Sequence, residues 1–203
     1  MFKVIICILA GLGAGLGTGF AGMSAAAVIS PMLIVFLDMD PYLSVGIALA
    51  SDVLASAVSA ITYGKNRNLD LRNGLYMMAA VLVFTLAGSY VASLVPGTAL
   101  GGASTFMTML LGIKFIVRPD VAPKQRLINA TKKQKAIRSV AFGALVGLIC
   151  GFVGAGGGMM MLLVLTTILG YELKTAVGTS VLIMSVTAFT GALSHFVIGG
   201  MPD

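Results

Sequence analysis

Charge is the scarcest property of this chain: Lys, Arg, Asp and Glu together make up 10% of it, against 58% for hydrophobic residues. A soluble domain carries about a quarter of its residues charged to cover its surface. A water-facing globular protein is therefore excluded, and the solvent of this chain is mostly lipid. Period-two alternation of apolar and polar residues is also missing, which excludes the roughly ten-residue strands of a transmembrane barrel. Cysteine occurs only at Cys7 and Cys150, each inside an apolar run. No disulfide framework or metal site can be read from that spacing, and neither a metal nor a cofactor is expected. Histidine occurs once, as His195, and Asp52 is the one acidic residue well inside an apolar span.

What the chain has instead is glycine in a duplicated pattern. Gly11, Gly15, Gly19, Phe20 and Gly22 recur 132 residues later as Gly143, Gly147, Gly151, Phe152 and Gly154. Sliding the chain on itself by the same interval also pairs Leu33 with Leu165, Val45-Gly46 with Val177-Gly178, and Asp40 with Glu172. Such internal similarity marks transporters built from repeats. The expected fold is all-α: a polytopic integral membrane helical bundle of two homologous repeats with broken or re-entrant glycine-rich helices. Residues 1–117 form the first repeat, 118–138 a basic cytoplasmic loop, and 139–203 a second repeat that is expected to be incomplete at its C-terminal end.

The apolar region Val4–Leu37 would be about 51 Å long as one helix, far more than the ~30 Å hydrocarbon core. The expected interruptions are Gly17-Thr18-Gly19 and Pro31, and in the second half Gly154–Gly158. Further spans are expected over Ser44–Tyr63, Gly74–Leu94, Ala99–Val117 and Thr175–Ile198. Residues 1–27 resemble a secretory leader, but the internal copy at Gly143–Gly154 indicates that this segment is retained.

Arg118, Lys124, Arg126, Lys132, Lys133, Lys135 and Arg138 face a single Asp120 in their loop, enough to supply the net charge of +6. The positive-inside bias makes this loop and Lys65–Arg72 cytoplasmic, so it is not a nucleic-acid patch. The acidic Asp38–Asp40 turn is then external. A single crossing at each broken region puts the amino terminus inside and runs the repeats in the same direction, the favoured arrangement; a double crossing inverts them.

Glycine at every fourth position lets helices approach closely in lipid, which accounts for the two ladders as packing faces. The denser glycine beyond them is too much for an undisturbed helix, and unwound backbone is tolerated in a membrane only where protein or a water-filled cavity satisfies it. Broken helices meeting at mid-membrane present helix N-termini, which favour anions. The expected substrate site is therefore Thr18, Gly19, Gly22 and Ser24 from one half, with Gly154, Gly156, Gly157, Gly158, Thr179 and Ser180 from the other. Burying Asp52 costs roughly 2.5–3.5 kcal/mol on insertion scales, which makes it a proton-carrier candidate; the alternative is an acid hydrogen-bonded to Ser51 or Ser56. His195 is a second candidate because its ordinary pKa suits a proton relay. Gly17-x-Gly19-x-x-Gly22 matches a dinucleotide fingerprint only in its letters, since no soluble strand precedes it.

The paired segments Gly19-Phe20-Ala21-Gly22-Met23-Ser24 and Gly151-Phe152-Val153-Gly154-Ala155-Gly156-Gly157-Gly158 resemble the sulfite exporter TauE/SafE-like family of membrane permeases. Ala176–Ser180, Gly191–His195 and Gly199–Asp203 extend the resemblance. It implies a secondary transporter, not an enzyme, moving a small sulfur-containing or organic anion such as sulfite or a sulfonate across the bacterial inner membrane, coupled to protons. Two alternatives are an intramembrane serine hydrolase using Ser24 and His195, and a truncated, non-transporting membrane protein.

Overall fold

A computed structural model describes residues 2–117, 132–153 and 157–199, apart from some side chains near the ends of these segments, at 72–73 and in 104–116. Residues 1, 118–131, 154–156 and 200–203 lie outside it, and the expected basic loop 118–138 is described only from Lys132, where the chain is already helical instead of at the expected 139. Every regular element among the described residues is helical: α1 (Phe2–Ala21), α2 (Ala26–Leu37), α3 (Pro41–Lys65), α4 (Leu71–Ser93), α5 (Gly97–Val117), α6 (Lys132–Val153), α7 (Gly157–Leu163, continued by a π-helical stretch Val164–Ile168) and α8 (Leu173–Gly199). Five of these helices, α1, α3, α4, α6 and α8, are long and apolar enough to cross a membrane, whereas Ala26–Leu37 and Gly157–Ile168 are short. At twelve residues, α2 rises only about 18 Å.

The first apolar run breaks later than its glycines suggest. Gly17, Thr18 and Gly19 are all helical within α1, and the helix stops where Gly22 adopts a φ of +61°, a conformation that glycine enters without a Cβ penalty. The amides of Gly22 and Met23 close the end by donating to the carbonyls of Thr18 and Gly17. Pro31 likewise fails to interrupt; it sits inside α2. That helix ends at Asp38, whose φ is +51°. Asp40 then caps α3, its carboxylate accepting from the Leu43 amide at 3.0 Å, with Pro41 in the first turn.

Contacts along the helices fix their directions. Gly46, early in α3, faces His195 and Phe196 late in α8, while Gly178 early in α8 faces Tyr63 and Asn68; α3 and α8 are antiparallel. Helices α4 and α6 run in the same direction, since Gly143, Gly147 and Gly151 meet Met77, Val81 and Thr85 in that order. In α1, Tyr63 donates to the Gly19 carbonyl at 3.3 Å, and Cys7 and Ala10 share a groove with Ile47 and Ser51, so α1 runs with α3. The series α1–α2–α3 therefore runs opposite to α6–α7–α8. The same-direction arrangement favoured by the sequence is not what forms; in the first half the chain turns back at Gly22. The start of α1 consequently lies on the Asp38–Pro41 face, opposite Lys65–Asp70.

One apolar core joins Met77 and Val81 of α4 to Val146, Met161, Leu165, Ile183 and Met184. A second joins Ala26, Leu49, Cys150, Ala188 and Ala192. The α3–α4 and α7–α8 turns are tied by Tyr171, which donates to Asp70 at 2.7 Å. The large side chains of α1, including Leu12, Leu16 and Phe20, point outward, as a lipid-facing surface requires.

Candidate functional site

The centre of the molecule is built on the break between α1 and α2. Ser24 and Ala25 are buried there, and both turn toward Asp52, a residue of α3 that is 0% exposed. Ser24 Oγ donates to Asp52 Oδ2 at 2.6 Å, and the Ala25 amide donates to Asp52 Oδ1 at 2.9 Å. The carboxylate thus stands at the start of α2, where a helix has unpaired N–H groups and a positive dipole end. Neither serine expected to hold the acid does so: Ser51 Oγ donates to the Ile47 carbonyl at 3.0 Å, and Ser56 Oγ to the Asp52 carbonyl at 2.5 Å. Ser24, 28 residues away in sequence, was not foreseen as the partner.

The second half closes on the same point. A Cβ placed on Gly158 would lie 2.7 Å from the Gly22 carbonyl oxygen and 2.8 Å from the Ser24 nitrogen. A Cβ on Gly22 would lie 3.0 Å from Ser180 Oγ, and one on Gly157 2.8 Å from Cys150 Sγ. At Gly158 two backbones meet with no room for a side chain, whereas Gly157 is crowded by the side chain of Cys150 and Gly22 is held by its left-handed backbone and the side chains of Ser180 and Val177. The Ser180 hydroxyl donates to the Val177 carbonyl at 2.9 Å, inside its own helix.

The geometry therefore brings together Gly22, Ser24, Asp52, Gly157, Gly158 and Ser180 from the residues singled out in the sequence. Gly154 and Gly156 lie outside the described residues. Thr18 is buried and bonds back to the Ala14 carbonyl at 2.9 Å. Gly19 faces outward, with nothing within 4 Å of where a Cβ would be. Thr179 belongs to the Asp70 turn, its hydroxyl accepting from the Asp70 amide at 3.1 Å.

His195 sits fifteen residues along α8 from Ser180, about 22 Å of helix rise. It is buried, its Nε2 lies 3.0 Å from the Gly151 carbonyl, and its ring packs on Tyr42 at a centroid distance of 4.3 Å. A carbonyl only accepts, so Nε2 carries a proton. Among the described residues, no atom meets hydrogen-bond geometry at His195 Nδ1 or at the Tyr42 hydroxyl. Ser24 is engaged by Asp52 and His195 by Gly151, so the serine–histidine pairing of a hydrolase is not formed. The Tyr42 contact left no trace in the sequence, because its two residues are remote in the chain.

Comparison with known proteins shows what the chain is similar to. The family model for the sulfite exporter TauE/SafE matches residues 7–203. Two Bacillus subtilis (strain 168) proteins described as probable membrane transporter proteins are similar over most of the chain. YunE is 23% identical over 96% of this chain and 79% of its own length. YdhB is 22% identical over 91% of this chain and 76% of its own. No solved structure matches.

Proposed function

This chain belongs to the sulfite exporter TauE/SafE family, and from that premise we propose that it is a proton-coupled permease for a small sulfur-containing or organic anion, such as sulfite or a sulfonate, in the bacterial inner membrane. The observation that carries the reading is Asp52, a carboxylate fully buried at the N-terminus of a discontinuous helix. Discontinuous helices whose half-helix N-termini meet anions at mid-membrane are the recurring binding device of secondary transporters. Here the position of the anion is held by the protein's own carboxylate.

That arrangement supplies a coupling rule. While Asp52 is ionised it takes the Ser24 hydroxyl and the Ala25 amide, and a second negative charge beside it is repelled. A proton on Asp52 removes the charge and releases the donors to a solute anion. Proton uptake and anion binding then favour one another, and by linkage the favour is reciprocal. Helices α1–α2–α3 and α6–α7–α8, read as two inverted repeats, supply the two bodies that rock about the contact between Gly158 and Gly22–Ser24.

The test is flux in proteoliposomes loaded in turn with sulfite, sulfoacetate and thiosulfate, with and without a pH gradient. Asp52→Asn keeps the shape and removes the titrating group. The expected result is anion exchange that persists but no longer responds to the pH gradient. An Asp52→Asn protein whose flux still follows the gradient like the parent would refute the coupling role. A parent protein that moves none of the three anions would refute the cargo class.

A further inference from the structure

Among the described residues, the buried side-chain atoms left without a hydrogen-bond partner are the Tyr42 hydroxyl, Ser44 Oγ and His195 Nδ1. All three lie at one end of the molecule, where the first turns of α3 meet the last turns of α8. A Cβ on Gly46 would lie 3.3 Å from His195 Cβ, and the Tyr42 and His195 rings are 4.3 Å apart at a tilt of 35°. Buried polar groups are hydrogen-bonded as a rule, so an orphan marks an unseen partner or a working group. His195 is 2% exposed, and the coupling scheme above makes no use of it.

The two ring nitrogens of His195 have unlike surroundings. Nε2 donates to the Gly151 carbonyl, which also accepts from Ser89 Oγ at 3.4 Å. Gly151 lies in the last turn of α6, which ends at Val153. The last carbonyls of a helix have no amide ahead of them within it and form its negative end, where a cation is favoured. Nδ1 is then the nitrogen with the free lone pair, and the ring packed beside it carries a hydroxyl able to donate to a neutral imidazole or accept from a charged one. Among the described residues, Tyr42 is the one ionisable side chain against the ring. Apart from it, α3 brings the Gly46 backbone. Helix α6 brings Gly151, with Cys150 before it packed among Leu49 and Ala192. Ser194, the neighbour on α8, donates to the Gly191 carbonyl. The nearest carboxylate along the chain from Tyr42, that of Asp40, is engaged by the Leu43 amide.

We propose that His195 is a second proton-binding site of this protein, taking a proton at Nδ1 from the Asp38–Pro41 face, with the Tyr42 hydroxyl as hydrogen-bond partner of the charged ring. Tyr42 stands one turn nearer that face than Gly46 and is half-buried, so it lies between the ring and the outside. The imidazolium is held between this hydroxyl and the carbonyl end of α6. The two titrating groups then sit at opposite kinds of helix end, an acid at the amide start of α2 and a base at the carbonyl end of α6. The consequence for transport rests on the permease reading given above. With one proton on Asp52 and another on His195, a doubly charged oxyanion such as sulfite crosses without net charge.

His195 is the only histidine in the chain, so nitrogen-15 labelling of histidine in tag-free protein gives an NMR signal from this ring alone. The protein is titrated in phosphatidylcholine nanodiscs between about pH 8 and about pH 5, the range in which histidine changes charge. Nδ1 should pass from unprotonated to protonated, while Nε2 keeps its proton throughout. Tyr42→Phe should move the Nδ1 resonance of the protonated ring and leave that of Nε2 in place. Asp52→Asn should leave the titration as in the parent, which separates this site from the central one. An Nδ1 that stays unprotonated over the whole range, parental Nδ1 shifts in Tyr42→Phe, or a titration lost in Asp52→Asn would each overturn the proposal. His195→Gln keeps an amide donor for Gly151 and lacks the titrating nitrogen. In proteoliposomes it should take up about one proton fewer per sulfite moved. Parental proton uptake in that variant would remove His195 from the coupling. A parent that moves no sulfite would sink the permease reading, and the NMR titration would still decide the site.

Discussion

Gly158→Ala is the smallest change that interrogates the meeting of the two breaks. The new Cβ would sit 2.7 Å from the Gly22 carbonyl oxygen, 2.8 Å from the Ser24 nitrogen and 3.1 Å from the Met23 carbonyl carbon. All three are backbone atoms, so no side chain can swing aside, and the break or α7 must shift by several tenths of an ångström. Overpacking of this kind costs typically 1–3 kcal/mol, a factor of about 5–150 in an equilibrium that needs the contact closed. Gly147→Ala is an internal control, because its Cβ would lie 2.5 Å from the Val81 carbonyl oxygen in the α4–α6 seat, away from the breaks. Thermal unfolding followed by size-exclusion chromatography should show both variants destabilised. Flux normalised to folded protein should fall tenfold or more for Gly158→Ala and stay within about twofold for Gly147→Ala. Wild-type flux per folded Gly158→Ala molecule would show that the contact between the breaks is not part of the transport path.

Other outcomes follow from single contacts. Tyr171→Phe removes the 2.7 Å hydrogen bond to Asp70 at a cost of about 0.5–1.5 kcal/mol, and should lower the melting temperature without changing apparent substrate affinity. Gly15→Ala and Gly147→Ala occupy equivalent places in the ladder, yet the first should unfold like the parent and the second at a lower temperature. A membrane-permeant maleimide should label Cys7 in the folded protein and Cys150 only after denaturation.

Much of this fold could be read from residues alone, for physical reasons that also explain the rest. Long apolar runs have few options in lipid, so the spans over α3, α4, α5 and α8 were placed to within about two to three residues of their observed ends. Asp52 was visible because an acid in an apolar span has no cheap explanation. Its partner was not, because a hydrogen bond to Ser24 depends on how α2 folds back beside α3, and hydropathy carries no such information. The run Val4–Leu37 is too long for one crossing, yet its length fits a kinked helix as well as a re-entrant pair, and the same-direction arrangement favoured from the sequence was not the one that formed. What decided it was Gly22, whose left-handed backbone ends α1 and lets α2 fold back beside α3. The glycine ladders likewise read identically in sequence; only tertiary contact distinguishes the mated copy from the open one.

The repeated sequence pattern carries an unrepeated charge, and on the proposed coupling that asymmetry bears on mechanism. The 132-residue interval carries Asp52 onto Met184 and Ser24 onto Gly156, so the acid and its hydroxyl donor occur in the first half alone. Met184 is buried in the apolar core with Met161 and Leu165, and its sulfur lies 3.4 Å from where a Cβ on Gly157 would be. Two opposed carboxylates at the centre would repel one another and favour a single shared proton. On the proposed coupling, one carboxylate is instead neutralised by one proton, so the net charge of the proposed site would change by a full unit between its two states. Met184→Asp would restore the symmetry of sequence and destroy that property. Its expected phenotype in proteoliposomes is a folded protein whose anion flux is depressed at neutral pH and recovers only in acid; flux equal to the parent's at neutral pH would show that the lone charge at Asp52 does not set the electrostatics of the site.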